Sequence, residues 1–221
     1  MRQTVSIALA LVLVTCGGAA PRAESSPTPP ATPSPTIAPT ATPLPTYAPT
    51  AEGFASKVLT EKPRTLSASA PAYVWIVAGA TSDANAVTAV VSEKETFTAL
   101  YQASTDPRSK DRDRAAYATP EMPPLAAGRY SESLRQVVVQ PGGRSAAHMH
   151  SGVEAVLVLE GRVLVRSAGN APTFLALGQG FYILPKVPVQ LINAGTTVAR
   201  TLVYSISPEG APFSTELSES P

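Results

Sequence analysis

The chain has 221 residues, with 17 Lys and Arg against 16 Asp and Glu, and one cysteine, Cys16. That near-neutral balance gives no electrostatic reason to expect nucleic acid or an acidic partner, and a lone cysteine excludes an intramolecular disulfide. Once an N-terminal leader and linker are set aside, roughly 170 residues remain, enough for one domain with an adequate core and too few for two ordinary ones.

The leader comes first. Arg2 precedes Val5 to Val14, a stretch that is apolar but for Ser6. It is too short to span a bilayer as a helix and reads as the core of a signal peptide, residues 1–20. Leu13-Val14-Thr15-Cys16 resembles a bacterial lipobox, although Thr15 stands where a smaller residue is usual. The resemblance implies lipidation at Cys16 and a membrane partner through that anchor, on the extracytoplasmic side. The alternative is secretion with cleavage after Ala19-Ala20. Residues 21–53 follow as a linker, and nine of the 23 prolines fall between Pro27 and Thr50, interspersed with Thr, Ser and Ala. Such a composition cannot bury a core and favours extended polyproline II, which at about 3.1 Å per residue reaches roughly 70 Å. It reads as a stalk.

From Phe54 onward the pattern turns to short strands. Ala72 to Ala78 and Ala86 to Glu93 flank a turn-prone Thr81-Ser82-Asp83-Ala84-Asn85 and read as a hairpin, with Thr96 to Gln102 as a further strand. Asp106 to Arg114 is a mixed-charge loop. Residues 54–129 are expected to extend one sheet of the main barrel. Beyond them, strands are expected at Arg135 to Val139, Ala155 to Leu159, Arg162 to Arg166, Thr173 to Leu177, Phe181 to Leu184, Val189 to Ile192 and Val198 to Ile206. Turns fall at Gly142-Gly143, Gly161, Gly169-Asn170, Gly178 and Gly195. Residues 209–221 read as a tail. Many short strands joined by Gly and Pro turns indicate an all-β sandwich or small barrel.

Both histidines of the chain lie in one window, Gly142-x5-His148-x-His150-x3-Glu154-x6-Gly161. Residues i and i+2 of a strand project from the same face, and a turn at Ser151-Gly152 lets Glu154 swing back towards them. Imidazole nitrogen with carboxylate oxygen suits one divalent first-row ion: Mn, Fe, Co, Ni or Zn. The plain alternative is a hydrogen-bonded His–Glu cluster without metal.

This window resembles the first motif of the cupins at every specified position. A second cupin motif is matched only in part by residues 178–193. Gly178, Pro185 and Asn193 agree; Gln179 replaces an Asp, Lys186 a Gly, and Val189 the His that serves as fourth ligand in the family. The resemblance covers residues 130–208 and implies a double-stranded β-helix, or jelly-roll barrel, with extra N-terminal strands and a homodimer as a partner state. Gln190 faces away from Val189 on a regular strand and would replace it only through a bulge.

Two functional readings follow, with a structural, dimer-forming barrel that keeps only a vestigial site as a third. In one, the metal's open positions hold a small oxygenated substrate or dioxygen for an enzyme reaction. In the other, the barrel is a non-catalytic module that captures a small molecule or a metal ion at the cell surface. Tyr182 is a candidate ligand-binding hydroxyl, though core packing is the simpler account of a Tyr on a barrel strand. Lys186 is weighed as an anion anchor against a plain solvent-facing role. If metal is bound, affinity should fall as pH drops through about 6.5, because the ligands must be deprotonated.

Overall fold

The computed structural model describes residues 51–67, 71–103 and 114–221. The leader, Cys16 and nearly all of the Pro/Thr-rich segment lie outside them, as does most of the charge run from Asp106.

Among the described residues the regular elements are fourteen strands in two sheets. In the larger sheet, β6 (Gly128–Arg144) is the long central strand. β1 (Glu52–Leu66) pairs along it on one side. On the other lie β13 (Ala199–Pro208), β8 (Val153–Glu160) and β11 (Gly180–Ile183) in succession. β12 (Val189–Ile192) joins the end of β6 and leads to β9 (Arg162–Ser167) and β10 (Thr173–Ala176). β7 (His148–His150) bridges β12 and β14 (Ser214–Glu216). The sheet curls into the jelly-roll barrel that the sequence resemblance implies.

The smaller sheet has the order β3 (Val87–Ser92), β4 (Glu95–Ala103), β2 (Ala72–Ala78) and β5 (Ala115–Ala118). Here the expectation of a hairpin between residues 72–78 and 86–93 gives way. β3 pairs with β4, and β2 pairs with β4 and β5. The reason is legible in the burial of β2, whose residues 72–77 are buried on both faces. Such a strand belongs in the middle of a sheet. Among the described residues of this segment, β1 alone extends the barrel sheet; β2 to β5 form a layer of their own.

Strand alternation divides the interior in two. On β13, Ala199 and Val203 point into the barrel with Val137 and Val139 of β6 and Val156 and Val158 of β8. Leu202, Tyr204 and Ile206 point outward and pack with Leu134 of β6, Leu157 of β8 and residues of β2, β3 and β4. The apolar runs of β8 and β13 are near-continuous because both faces are covered. At about 1.5–3 kcal/mol for each large apolar side chain removed from water, the interlayer is a core in its own right.

Two glycines of the histidine window have steric work to do. At Gly152 a Cβ would overlap the Ile206 carbonyl, so the chain can bend there beneath β13 only without a side chain. Gly161 turns between β8 and β9 at φ 69°, where a Cβ would meet the Val198 carbonyl at 2.6 Å.

Candidate metal centre

β7 carries His148 and His150 on one face, and the bend at Ser151-Gly152 delivers Glu154 as the second residue of β8. The two imidazole rings meet edge to face, with centroids 4.7 Å apart. His150 Nε2 lies 3.0 Å from Glu154 Oε2. All three side chains line one cavity of about 220 Å³.

The other nitrogen of each ring is held from behind. His148 Nδ1 is 2.7 Å from the Ala146 carbonyl, and His150 Nδ1 is 3.0 Å from the Phe213 carbonyl. A carbonyl can only accept, so in each ring Nδ1–H donates and a neutral imidazole keeps its lone pair on Nε2. The His150 lone pair therefore faces a carboxylate oxygen, an arrangement that is repulsive unless a proton or a cation stands between them. Neither atom makes a hydrogen bond among the described residues, although both are buried.

Electrostatics sharpens the point. Burial pushes the Glu154 carboxyl up to about 7, against the opposing pull of His148 and Arg135. Burial likewise lowers both histidines below the usual imidazole value; hydrogen bonds to Ala146 and Phe213 oppose this. Near neutral pH the imidazoles are uncharged and Glu154 is poised to lose its proton, the protonation states that a cation needs. Among the described residues no three His, Cys, Asp or Glu stand in an arrangement that holds a metal ion as it is. Closing His148, His150 and Glu154 on one ion takes a shift of these side chains.

Val189 is buried, lies across from His148 in the β7–β12 pair and lines the cavity. Gln190 does not line it; its amide Nε2 donates to the Ser145 carbonyl at 3.0 Å. The side chain beside the two histidines on β12 is thus the valine. Tyr182 is not brought to the site. Its neighbours Phe181 and Ile183 line the cavity, whereas Tyr182 packs on the opposite face against the interlayer core. Lys186 is also absent from the lining. It takes φ 63°, the left-handed conformation suited to the Gly it replaces, its side chain is exposed, and its N–H donates to the His150 carbonyl at 2.8 Å.

Two contributors escaped the sequence reading. Arg135 of β6 lines the cavity, with its guanidinium 4.0 Å over the Phe213 ring and its Nε–H donating to Ser133 Oγ at 3.3 Å. Strand parity could have found it, since Arg135, Val137 and Val139 share one face. Phe213, which supplies both that ring and the carbonyl behind His150, lies in the segment read as a tail, and no local pattern pointed to it. β14 beyond it pairs with β7.

Comparison with known proteins agrees with this architecture. Residues 135–205 match the family model described as the cupin domain. No curated protein matches the chain. Among solved structures the chain is similar to an oxalate oxidase in complex with the substrate analogue glycolate, at 24% identity and TM-score 0.36, over 39% of this chain and 46% of that one. It is similar to a structure of DMSP lyases at 20% identity and TM-score 0.36, over 39% and 44%. A cupin-2 domain protein of Rhodospirillum rubrum matches at 22% identity and TM-score 0.36, over 40% and 57%. The alignments thus span less than two thirds of each of these chains.

Proposed function

We propose that the barrel binds one divalent first-row metal ion through His148, His150 and Glu154 and uses it on a small oxygenated substrate. The observation that carries this reading is the pair of imidazoles whose Nδ1–H groups are tied to backbone carbonyls, with the His150 lone pair set 3.0 Å from a buried carboxylate oxygen that has no hydrogen bond. A buried polar pair left in this state is costly, and a cation between donors removes the cost. Once bound, such an ion supplies Lewis acidity or a redox centre.

The chain's own residues fix what can reach it. Val137, Val156, Ile183, Val189 and Leu191 give the cavity apolar walls that limit water. Val189 offers no donor, which leaves a coordination position for water or a ligand. That same valine favours a second reading, in which the module captures a metal or small ligand without turnover. The N-terminal leader supports export and anchoring through Cys16, with the Pro/Thr-rich segment as a spacer; the intact mass of the membrane-fraction protein checks lipidation.

Elemental analysis tests the metal. The protein purified from its exported form should carry about one metal ion per chain, and His148→Ala/His150→Ala should carry none while keeping a cooperative melt. A chain that takes up no metal, even on titration with Mn, Fe, Co, Ni and Zn, would overturn the reading. Metal-dependent oxygen uptake or turnover that is lost in Glu154→Ala separates the enzyme from the binding module.

A further inference from the structure

The cation among the side chains that line the cavity is Arg135. It forms no ion pair among the described residues, whereas Arg129, Arg144 and Arg200 each meet a glutamate at 2.8–3.0 Å. Its position is nonetheless fixed. The guanidinium rests on the Phe213 ring, and Nε–H donates to Ser133 Oγ, which in turn is 2.8 Å from Ser205 Oγ. Stacking occupies a face of the planar group and the Ser133 bond occupies Nε, so among the described residues no hydrogen bond or ion pair engages its terminal Nη donors.

Register sets Arg135 close to the candidate metal ligands. Across the sheet, Arg135 pairs with Val203 and Val203 with Val156; the adjacent row runs Ser133, Ser205, Glu154. Arg135 and Glu154 therefore face the same cavity from neighbouring rows, and Val203 and Val156 supply apolar surface beside them. A divalent ion is only half neutralised by one carboxylate, and the guanidinium adds to the surplus. The exposed Glu216, also on the cavity lining, offsets it only in part.

We propose that Arg135 is an anion anchor and that the pocket takes a small carboxylic acid, its carboxylate on the terminal nitrogens of Arg135 and its short hydrocarbon body along Val156 and Val203. This rests on the metal reading for what the rest of the ligand meets, but not for the anchor itself. A planar guanidinium edge matches a carboxylate with two parallel hydrogen bonds. A volume of about 220 Å³ is below the roughly 300–1,000 Å³ of pockets that take drug-sized molecules, which restricts the acid to a few carbons.

The test compares butyrate with its neutral isostere butyramide by calorimetry, on the full chain with and without bound metal, in wild type, Arg135→Met and Arg135→Lys. Butyrate should bind wild type at least about tenfold more tightly than butyramide, a ratio that collapses in Arg135→Met and is partly kept in Arg135→Lys. Metal stoichiometry should be the same in all three. Retained discrimination in a folded Arg135→Met overturns the anchor, as does a wild type that binds no butyrate. Inorganic phosphate displacing butyrate at lower concentration than butyrate itself overturns the carboxylate class. Should Arg135→Met fail to fold, a Lys variant that matches wild type in every ratio, with its different donor geometry, overturns bidentate recognition. Arginine-dependent butyrate binding in a chain that takes no metal would leave the anchor standing and remove the metal reading alone.

Discussion

Glu132 and Glu154 sit on opposite faces of the same wall of strands, both buried, and they are treated differently. Glu132, on β6, faces the interlayer. Its Oε1 accepts a hydrogen bond from Tyr204 at 2.7 Å, and Lys62 Nζ lies 3.9 Å from Oε2. Burial pushes its carboxyl up, while Tyr204, Arg64 and Lys62 pull it down. Glu154, on β8, faces the cavity with a histidine lone pair before it and no hydrogen bond. The first carboxylate has a hydrogen bond on Oε1 and a cation 3.9 Å from Oε2, although Oε2 itself makes no hydrogen bond; the second makes no hydrogen bond and faces cavity space that something else can fill. Burial alone does not mark a functional group; burial without a partner beside a cavity does.

The widest separation of the two should come from Glu154→Gln in the metal-free protein. Between pH 4.5 and about 7 the folded chain holds a Glu154 proton that the unfolded chain has released. Stability therefore falls as pH rises through that window, by roughly 3 kcal/mol when the shift is fully expressed. His148 and His150 have lowered values and give the opposite slope below about 6.5; the Glu154 charge acts on His148, so this contribution cancels only in part and the difference is read above pH 6.5. Denaturation against pH should thus show the Gln variant gaining on wild type towards pH 8; parallel curves would mean that Glu154 is satisfied after all. In the metal-loaded protein the same carboxyl competes for protons first, so affinity should begin to fall near pH 7 rather than 6.5.

On the other face, Tyr204→Phe removes the hydrogen bond to Glu132 and leaves that carboxylate short of a partner, at a cost of about 2 kcal/mol in urea denaturation. Metal stoichiometry should not change. A variant as stable as wild type would show that Lys62 and Arg64 suffice, and the contrast between the two carboxylates would narrow. The smallest effect is expected from Val189→His, which puts a donor where the cavity has a methyl surface. Manganese affinity by calorimetry should rise about tenfold, close to 1.4 kcal/mol; no change would place the side chain beyond reach of the ion.

Much of the candidate site was legible because its three side chains are local in sequence. His148 and His150 needed only the two-residue period of a strand, and Glu154 only a turn that Gly152 makes sterically feasible. The same period separated Val189 from Gln190. It would have placed Arg135 on the inner face had it been carried back from Val137 and Val139, and it would have shown Tyr182 on the opposite face from Phe181 and Ile183. What local pattern could not give is the pairing of distant strands. β2 and β3 look like a hairpin in sequence, yet β2 takes β4 and β5 as neighbours because both of its faces are buried.

The sequence by itself determined an all-β chain, its turns, and a two-His, one-Glu cluster on a strand and the bend after it, since these follow from side-chain alternation and glycine backbone freedom within a few residues. Only the tertiary structure decided what stands behind and around that cluster. The Phe213 carbonyl reaches His150 across 63 positions of sequence, Arg135 enters the cavity through the register of β6 with β13, and Glu132 finds Tyr204 across the same pair. Long-range β pairing is fixed by which faces can be buried together, and that is a property of the assembled sheets rather than of any one strand.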